Sequence, residues 1–371
     1  MKRGLIGIAG VLLILSLQSY ARGASPTKSF QVNRGGTLEV SLSEGDIRII
    51  PWDKNEVLVK APGMDEEDMD EFRIVQDGNS IVVRGSSDIV RIEVNLPSQF
   101  NLDLHTSGGE IEVRGAMTGT LRGSTSGGDV RLGDVGTQVD MKTSGGNILA
   151  GKVTGDADLQ TSGGDVEVTS SSGNLTVTTM GGNVSIGNVD KALKCRSGGG
   201  NIEIGNVGGT ASISSGGGEL TVGKVNGNVD LSTGGGNIDL GGGAGAVTAK
   251  TGGGDIQLRA LTGSVEAKTG GGDVVADLIP GGKGGSRMVS GGGDIELTLP
   301  ENAKATIDAI IRCRGSWRDC SEESDIASDF KASNYQKDSD QKEVHGKYIL
   351  NGGGDPIYLE TVNGSISIRK K

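Results

Sequence analysis

Eleven acid or amide side chains mark one recurring corner of this sequence: Glu110, Asp129, Asn147, Asp165, Asn183, Asn201, Glu219, Asn237, Asp255, Asp273 and Asp294. Each follows two or three glycines behind a Ser, Thr or Met, and each precedes an aliphatic residue. Carboxylates at fixed spacing are what glycoside cleavage needs, one as acid and one as base or nucleophile. They are also the ligands of a calcium roll, whose coils read G-G-x-G-x-D-x-U-x. Neither chemistry fits. Asp, Asn and Glu interchange at the corner, which a turn tolerates and a proton-transfer site does not. In Gly252-Gly253-Gly254-Asp255-Ile256-Gln257-Leu258 the acid directly follows the glycines, and no second Gly-x-Asp comes after it. The run Gly241 to Gly245 could pass for a phosphate loop, but it lacks a following Lys-Ser/Thr and a helix. No catalytic, cofactor or metal residue is therefore expected, and no enzymatic activity.

A second cluster lies near the end of the chain. Cys313 and Cys320 enclose Arg314-Gly315-Ser316-Trp317-Arg318-Asp319, and in an oxidising compartment these two thiols would pair. Closing so short a loop contributes about 2–3 kcal/mol on the chain-entropy estimate. A metal site would need more ligands, and no His or third Cys stands nearby. Trp317 between Arg314 and Arg318 has the make-up of an interface anchor, an aromatic flanked by cations. The plainer alternative is that Trp317 packs over the end of the fold.

The elements that must position these residues are legible in the period. From Asp129 to Asp273 the corner recurs with a constant 18-residue period, and only the outermost steps, from Glu110 and to Asp294, are slightly longer. Within Asp129 to Gly146, Val130 and Leu132 alternate with Arg131, and Val139, Met141 and Thr143 alternate with Asp140 and Lys142. That period-2 pattern is a half-buried strand, repeated. The first apolar column runs Val130, Ile148, Val166, Val184, Ile202, Leu220, Ile238, Ile256 and Val274, and the last inward column is Thr or Ser throughout. Like stacked on like at a strand spacing of about 4.8 Å gives a rod roughly 45–50 Å long. The glycines at the corners are expected to supply backbone angles that a side chain would forbid. The fold class is all-β: a single-chain β-solenoid (β-helix) of about ten 18-residue coils with caps at both ends. Its handedness stays open.

Composition agrees with a rod and narrows its partners. Glycine contributes 67 of 371 residues, yet Gly does not recur at every third position as collagen requires. Between Thr106 and Leu299 there is no Phe, Trp, Tyr or His, so the repeats offer neither a stacking platform nor an imidazole. A formal net charge of −11 repels phosphate backbones, which argues against nucleic acid. Cys195 falls in the inward column of Met141 and Leu159 and reads as a small core residue.

The chain divides into a signal peptide (1–21), an N-terminal β cap (22–105), the repeats (106–299) and a C-terminal cap (300–371) with an irregular insertion at 313–347. Met1-Lys2-Arg3, an apolar run from Leu5 to Leu17 and the small residues Ser19 and Ala21 predict cleavage after Ala21. That run is short for a bilayer span, so the mature chain is not expected to be transmembrane. Met64 to Phe72 is read as an acidic helix or loop, and Trp52 as part of the cap core.

Leu38-Glu-Val-Ser-Leu-Ser-Glu-Gly-Asp-Ile-Arg-Ile49, the repeated Thr-Ser-Gly-Gly-Asp-Val and the closing Leu359-Glu-Thr-Val-Asn-Gly-Ser-Ile-Ser-Ile-Arg369 carry a resemblance to the bacterial putative-adhesin family, a domain of unknown function. It covers nearly everything after the signal peptide. The resemblance implies an adhesin-like protein and says little about its ligand. With the signal peptide and the absence of catalytic groups, the expectation is an extracytoplasmic adhesin-like or scaffold protein of the cell envelope whose partner is a cell-surface polymer or envelope protein. Two other classes compete with it: an envelope-stress sensor binding peptide or lipid through its cap, and a polysaccharide-degrading β-helix. The latter would need a groove lined by converging acids.

Overall fold

A computed structural model describes residues 27–62, 73–85, 91–315 and 324–371, and every regular element among them is a β-strand. One coil shows why. In Val130–Leu132 and Val139–Lys142 alternate side chains face inward, so each strand buries one face and wets the other. Between them Val135 makes single parallel bridges to Met117 and Val153, a third point of contact along the rod. Each residue then lies beside its equivalent one period on. Val130 pairs with Ile148, Val139 with Ala157, and the register holds to Ile256 with Val274 and Val247 with Val265. Val139 and Val265 are 1% and 2% exposed, as the alternation requires. Two strands per coil build two long, mainly parallel sheets with one continuous apolar core between them. Followed pair by pair, neither sheet closes on itself: one runs from Thr27–Gln31 to Ile326–Ser328, the other from Arg73–Asp77 to Asn334–Asp338.

The corner glycines are needed for a different reason from backbone angle. None of those preceding the acid or amide has a φ in the left-handed region. They are needed because successive corners nearly touch. A Cβ on Gly254 would sit 2.1 Å from the carbonyl oxygen of Gly236, and one on Gly146 the same distance from that of Gly128. The preceding glycine is different: a Cβ on Gly253 would meet nothing within 4 Å. Gly254→Ala should therefore cost about 1–3 kcal/mol, because a backbone must move to admit the methyl. Gly253→Ala should be near neutral. Thermal melting of the two variants side by side checks this, and equal losses would contradict it.

The inward hydroxyl column locks the same corner. Thr251 Oγ1 donates to the Gly236 carbonyl at 2.8 Å and accepts from the Gly254 N–H at 3.2 Å. Thr143, Thr161, Thr179, Ser197, Ser215 and Thr269 repeat both bonds. Each hydroxyl thus satisfies a buried or part-buried donor of its own coil and an acceptor of the coil before.

At both ends the coils are out of sequence order. Asp46–Trp52 lies between Arg91–Pro97 and Ile111–Val113, and Thr37–Leu42 between Ser80–Gly85 and Asn101–Thr106. The other end mirrors this arrangement. Asp355–Val362 lies between Ser286–Ser290 and Ala305–Arg312, and Ile366–Lys370 between Ile295–Leu299 and Ile326–Ser328. Outside these intercalated coils the pairing turns antiparallel, as in Ala305–Arg312 with Glu343–Leu350.

Two further sequence expectations are corrected by the fold. The stretch 313–347, expected to be irregular, holds the strands Ile326–Ser328 and Asn334–Asp338 and most of Glu343–Leu350. Asn334–Asp338 and Glu343–Leu350 pair antiparallel, and Ile326–Ser328 pairs in parallel with the distant Ile366–Lys370, so none of them is announced by the 18-residue pattern. Trp52 is half-buried and not in the core: its indole N–H donates to the Glu56 carbonyl at 2.8 Å, and Lys54 lies 4.7 Å from the ring centroid. Met64 to Phe72 and the signal peptide lie outside the described residues.

Cys195 occupies the core column, paired in register with Val177 and Ile213. Burial pushes its thiol up to about 12, so the reactive thiolate is suppressed. At pH 8 iodoacetamide should leave Cys195 untouched in the folded chain and label it once guanidinium unfolds the protein, as read by mass spectrometry. The linkage has one sign. The folded thiol stays protonated above the pH at which the unfolded thiol ionises, so this site's share of stability is complete below pH 9.0 and falls away towards about pH 12.

Candidate binding surfaces

Nine of the eleven corner side chains accept a backbone N–H from the neighbouring coil. Asp129 Oδ1 accepts the Asn147 N–H at 2.8 Å, Asn147 Oδ1 that of Asp165 at 2.8 Å, and Asp165 Oδ1 that of Asn183 at 2.7 Å. The chain of bonds runs on through Asn183 and Asn201, resumes at Asn237, and ends where Asp294 Oδ1 accepts the Ser365 N–H at 2.7 Å. Asp and Asn both present an oxygen acceptor at that place, which accounts for their interchange. Glutamate is one methylene longer, and among the described residues neither Glu110 nor Glu219 accepts such a bond. Glu110 pairs instead with Arg131. Carboxylates held this way are architectural. Among the described residues no group of three His, Cys, Asp or Glu is placed to hold a metal ion, and no helix is long and apolar enough to cross a membrane.

Of the residues singled out near the end of the sequence, Cys313 and Arg314 are described. Trp317, Arg318 and Cys320 lie outside the described residues. Cys313 is buried just past Ala305–Arg312, with its N–H donating to the Lys342 carbonyl at 2.9 Å. Arg314 is exposed, and its backbone is fastened to Asn363 through an N–H to Oδ1 bond of 2.7 Å. Arg312, two residues earlier, is the last residue of Ala305–Arg312 and lies on the outer face of the second sheet.

That face carries a network the sequence did not reveal. Arg312 Nε donates to Glu360 at 2.7 Å while Arg312 Nη1 contacts Glu343, and Arg287 Nη2 reaches Glu360 at 3.1 Å. The Tyr358 hydroxyl donates to Glu360 at 2.8 Å, and the Arg287 guanidinium lies 4.1 Å from the Tyr358 ring centroid. His345 contacts Asp308 beside them. Burial acts to raise the Glu360 carboxyl, but the bonds from Tyr358 and Arg312 and the two guanidinium charges outweigh it and hold it below the usual carboxylate range. Burial, with the bond to Glu360, pushes Tyr358 up. Glu360 is the hub, with its side chain 17% exposed, while Arg287 and Arg312 are 54% and 47% exposed. The network can orient two guanidinium groups at the surface against an aromatic ring. Elsewhere the same face mixes small polar residues such as Ser212 and Ser232 with single charges, among them Arg196, Asp230, Lys250 and Lys268, and lacks an aromatic ring beside them.

The network escaped sequence reading because Arg287 and Glu360 are 73 residues apart and meet only through an intercalated coil. One signal was available: after the aromatic-free repeats, Tyr335, Tyr348 and Tyr358 follow in quick succession.

No curated protein matches the chain. Among solved structures it is similar to a putative adhesin of Bacteroides fragilis at 15% identity, over 64% of this chain and 92% of that one, with a TM-score of 0.29. A putative adhesin of Parabacteroides distasonis is 12% identical over 94% of this chain and 98% of its own, with a TM-score of 0.23. A putative cell adhesion protein of Clostridium sporogenes is 9% identical over 94% and 100%, with a TM-score of 0.15. The model of the family Toastrack DUF4097 matches residues 21–241, more than half of the chain, and the protein belongs to that family.

Proposed function

We propose that this chain is a non-enzymatic, extracytoplasmic scaffold of the bacterial cell envelope that works as an adhesin. It presents one end of a rigid rod to a surface polymer or envelope protein. The observation that carries this reading is the engagement of the recurrent acids: their oxygens hold the N–H of the next coil, so the repeat is a spacer and not a row of catalytic groups. Contact is assigned to the C-terminal outer face, where Arg287, Arg312 and Tyr358 bring the side-chain types that dominate interface energetics. Arg314, Trp317 and Arg318, in a loop that a Cys313–Cys320 disulfide would close, are proposed to take part in the same contact.

The test immobilises the chain from Arg22 onward and passes solubilised envelope over it. Retention of a surface polymer or envelope protein, without release of reducing sugar ends, is expected. Arg287→Glu combined with Arg312→Glu should weaken retention by about tenfold or more, a loss of about 1.4 kcal/mol. Arg196→Glu, midway along the same sheet, should leave it unchanged. Sugar release, or equal retention by all three proteins, would overturn the reading.

A further inference from the structure

We propose a second, separate site: a cavity that takes an apolar ligand bearing a carboxylate. It lies where the regular period of the repeat breaks. Three connections converge there, Ile279–Gly282 from the enlarged repeat, Pro300–Lys304 ahead of Ala305–Arg312, and Gly353–Asp355 ahead of the intercalated coil, and they border a half-open depression of about 510 Å³. That volume falls within the range of about 300–1,000 Å³ typical of small-molecule sites.

The enlarged loop is fastened on both sides and still leaves the space open. The Gly282 N–H donates to Asp355 Oδ2 at 2.8 Å, and Lys283 Nζ reaches the Ala244 carbonyl at 3.2 Å. Gly282 holds a φ of +72, so a side chain there would be strained even though a Cβ would meet nothing within 4 Å. Loops held by a rigid scaffold are where binding residues concentrate.

The lining sets the ligand class. Ile279, Pro280, Pro300 and Ala303 give an apolar wall, and Ile279, at 41% exposed, is one of the few large aliphatics of the described coils that face outward, with Leu149 and Val275. Asp355 already accepts from Gly282. Among the described residues the Lys304 ammonium and the Asn302 amide have no internal partner. With one Asp355 oxygen held by Gly282, the Lys304 ammonium and the Asn302 amide are the donors the lining offers beside its apolar wall, and they favour an anionic head on an apolar body. A fatty acid and the C-terminus of an aliphatic peptide share that chemistry.

Calorimetric titration of the full mature chain distinguishes these sources with three probes: octanoate, N-acetyl-Val-Leu and octylamine. Octanoate, the dipeptide or both should bind, at least about tenfold more tightly than octylamine. Whichever probe binds names the source. Lys304→Glu should weaken that binding by about tenfold or more and Ile279→Ser by a similar factor, while Lys304→Arg retains it. Both altered side chains are exposed, so unchanged melting temperatures will show that the variants fold. Equal affinity for octylamine, no binding by any probe, or indifference to Lys304→Glu would overturn the site. None of these results bears on polymer retention by the Arg287 and Arg312 face, so the two proposals fail independently.

Discussion

Thr251→Val should lower stability by about 2–5 kcal/mol, while Thr251→Ser should lie close to the parent. The substitution hardly changes volume, since a methyl replaces a hydroxyl of similar size, so the loss is one of hydrogen bonding. The Gly236 carbonyl gives up the bond that Thr251 Oγ1 donates at 2.8 Å, and the Gly254 N–H gives up the acceptor at 3.2 Å. Neither group has another hydrogen-bond partner among the described residues. A buried polar group left unsatisfied costs about 1–3 kcal/mol; valine leaves the buried Gly254 N–H and the part-buried Gly236 carbonyl, whose cost is smaller. Serine keeps the oxygen, as Ser197, Ser215 and Ser290 already do at equivalent positions. Guanidinium denaturation of the three proteins reads the difference directly. A valine variant within about 0.5 kcal/mol of the parent, the scatter of surface substitutions, would show that the hydroxyl column is not what joins the coils.

The column was readable because coil contacts are contacts with the sequence neighbour one period away. Thr143, Thr161 and Thr179 fall in phase with Val139, Ala157 and Leu175, and that phase alone places them inside. The corner glycines were harder: a Gly-Gly pair is the same letters whether it supplies an angle or a close approach, and only the distance from Gly254 to Gly236 separates the two. At the ends the logic of neighbours fails. Gly45-Asp46 and Gly364-Ser365 repeat the corner phrase in shortened form, but nothing in their spacing says which strands flank them. The Arg287, Glu360 and Arg312 network depends on that intercalation. Its members look like unrelated surface charges until Asp355–Val362 is placed between Ser286–Ser290 and Ala305–Arg312. Local periodicity specifies the spacer, and non-local pairing specifies the face that the spacer carries.

That difference leads to the largest effect expected of any change to this chain. Truncation after Gly354 and internal deletion of 219–236 remove stretches of nearly equal length, yet the outcomes should be opposite. The internal deletion joins one coil to the next but one with every column in phase: Ile202 meets Ile238, Ala211 meets Val247, and Asn201 can accept the Asn237 N–H. It even discards Glu219, which interrupts the corner bonds. Stability there depends on nearest neighbours, so the shortened rod should remain soluble and melt a few degrees lower. Truncation withdraws a coil held between two others. Ile357, Leu359, Ile366 and Ile368 leave the core, and at about 1.5–3 kcal/mol each their loss approaches the whole stability of an ordinary domain. Ser286–Ser290 and Ile295–Leu299 become open parallel edges, Met288 and Leu297 are uncovered, and Ala305–Arg312 loses its parallel partner. Unpaired edges of this kind recruit other chains. The truncated protein should therefore elute as aggregate in size-exclusion chromatography, while the internal deletion elutes as a slightly smaller version of the parent with an unaltered β-type circular dichroism spectrum. A well-behaved truncated species, or collapse of both, would mean that the intercalated coil is an appendage to the rod and not the lock at its end.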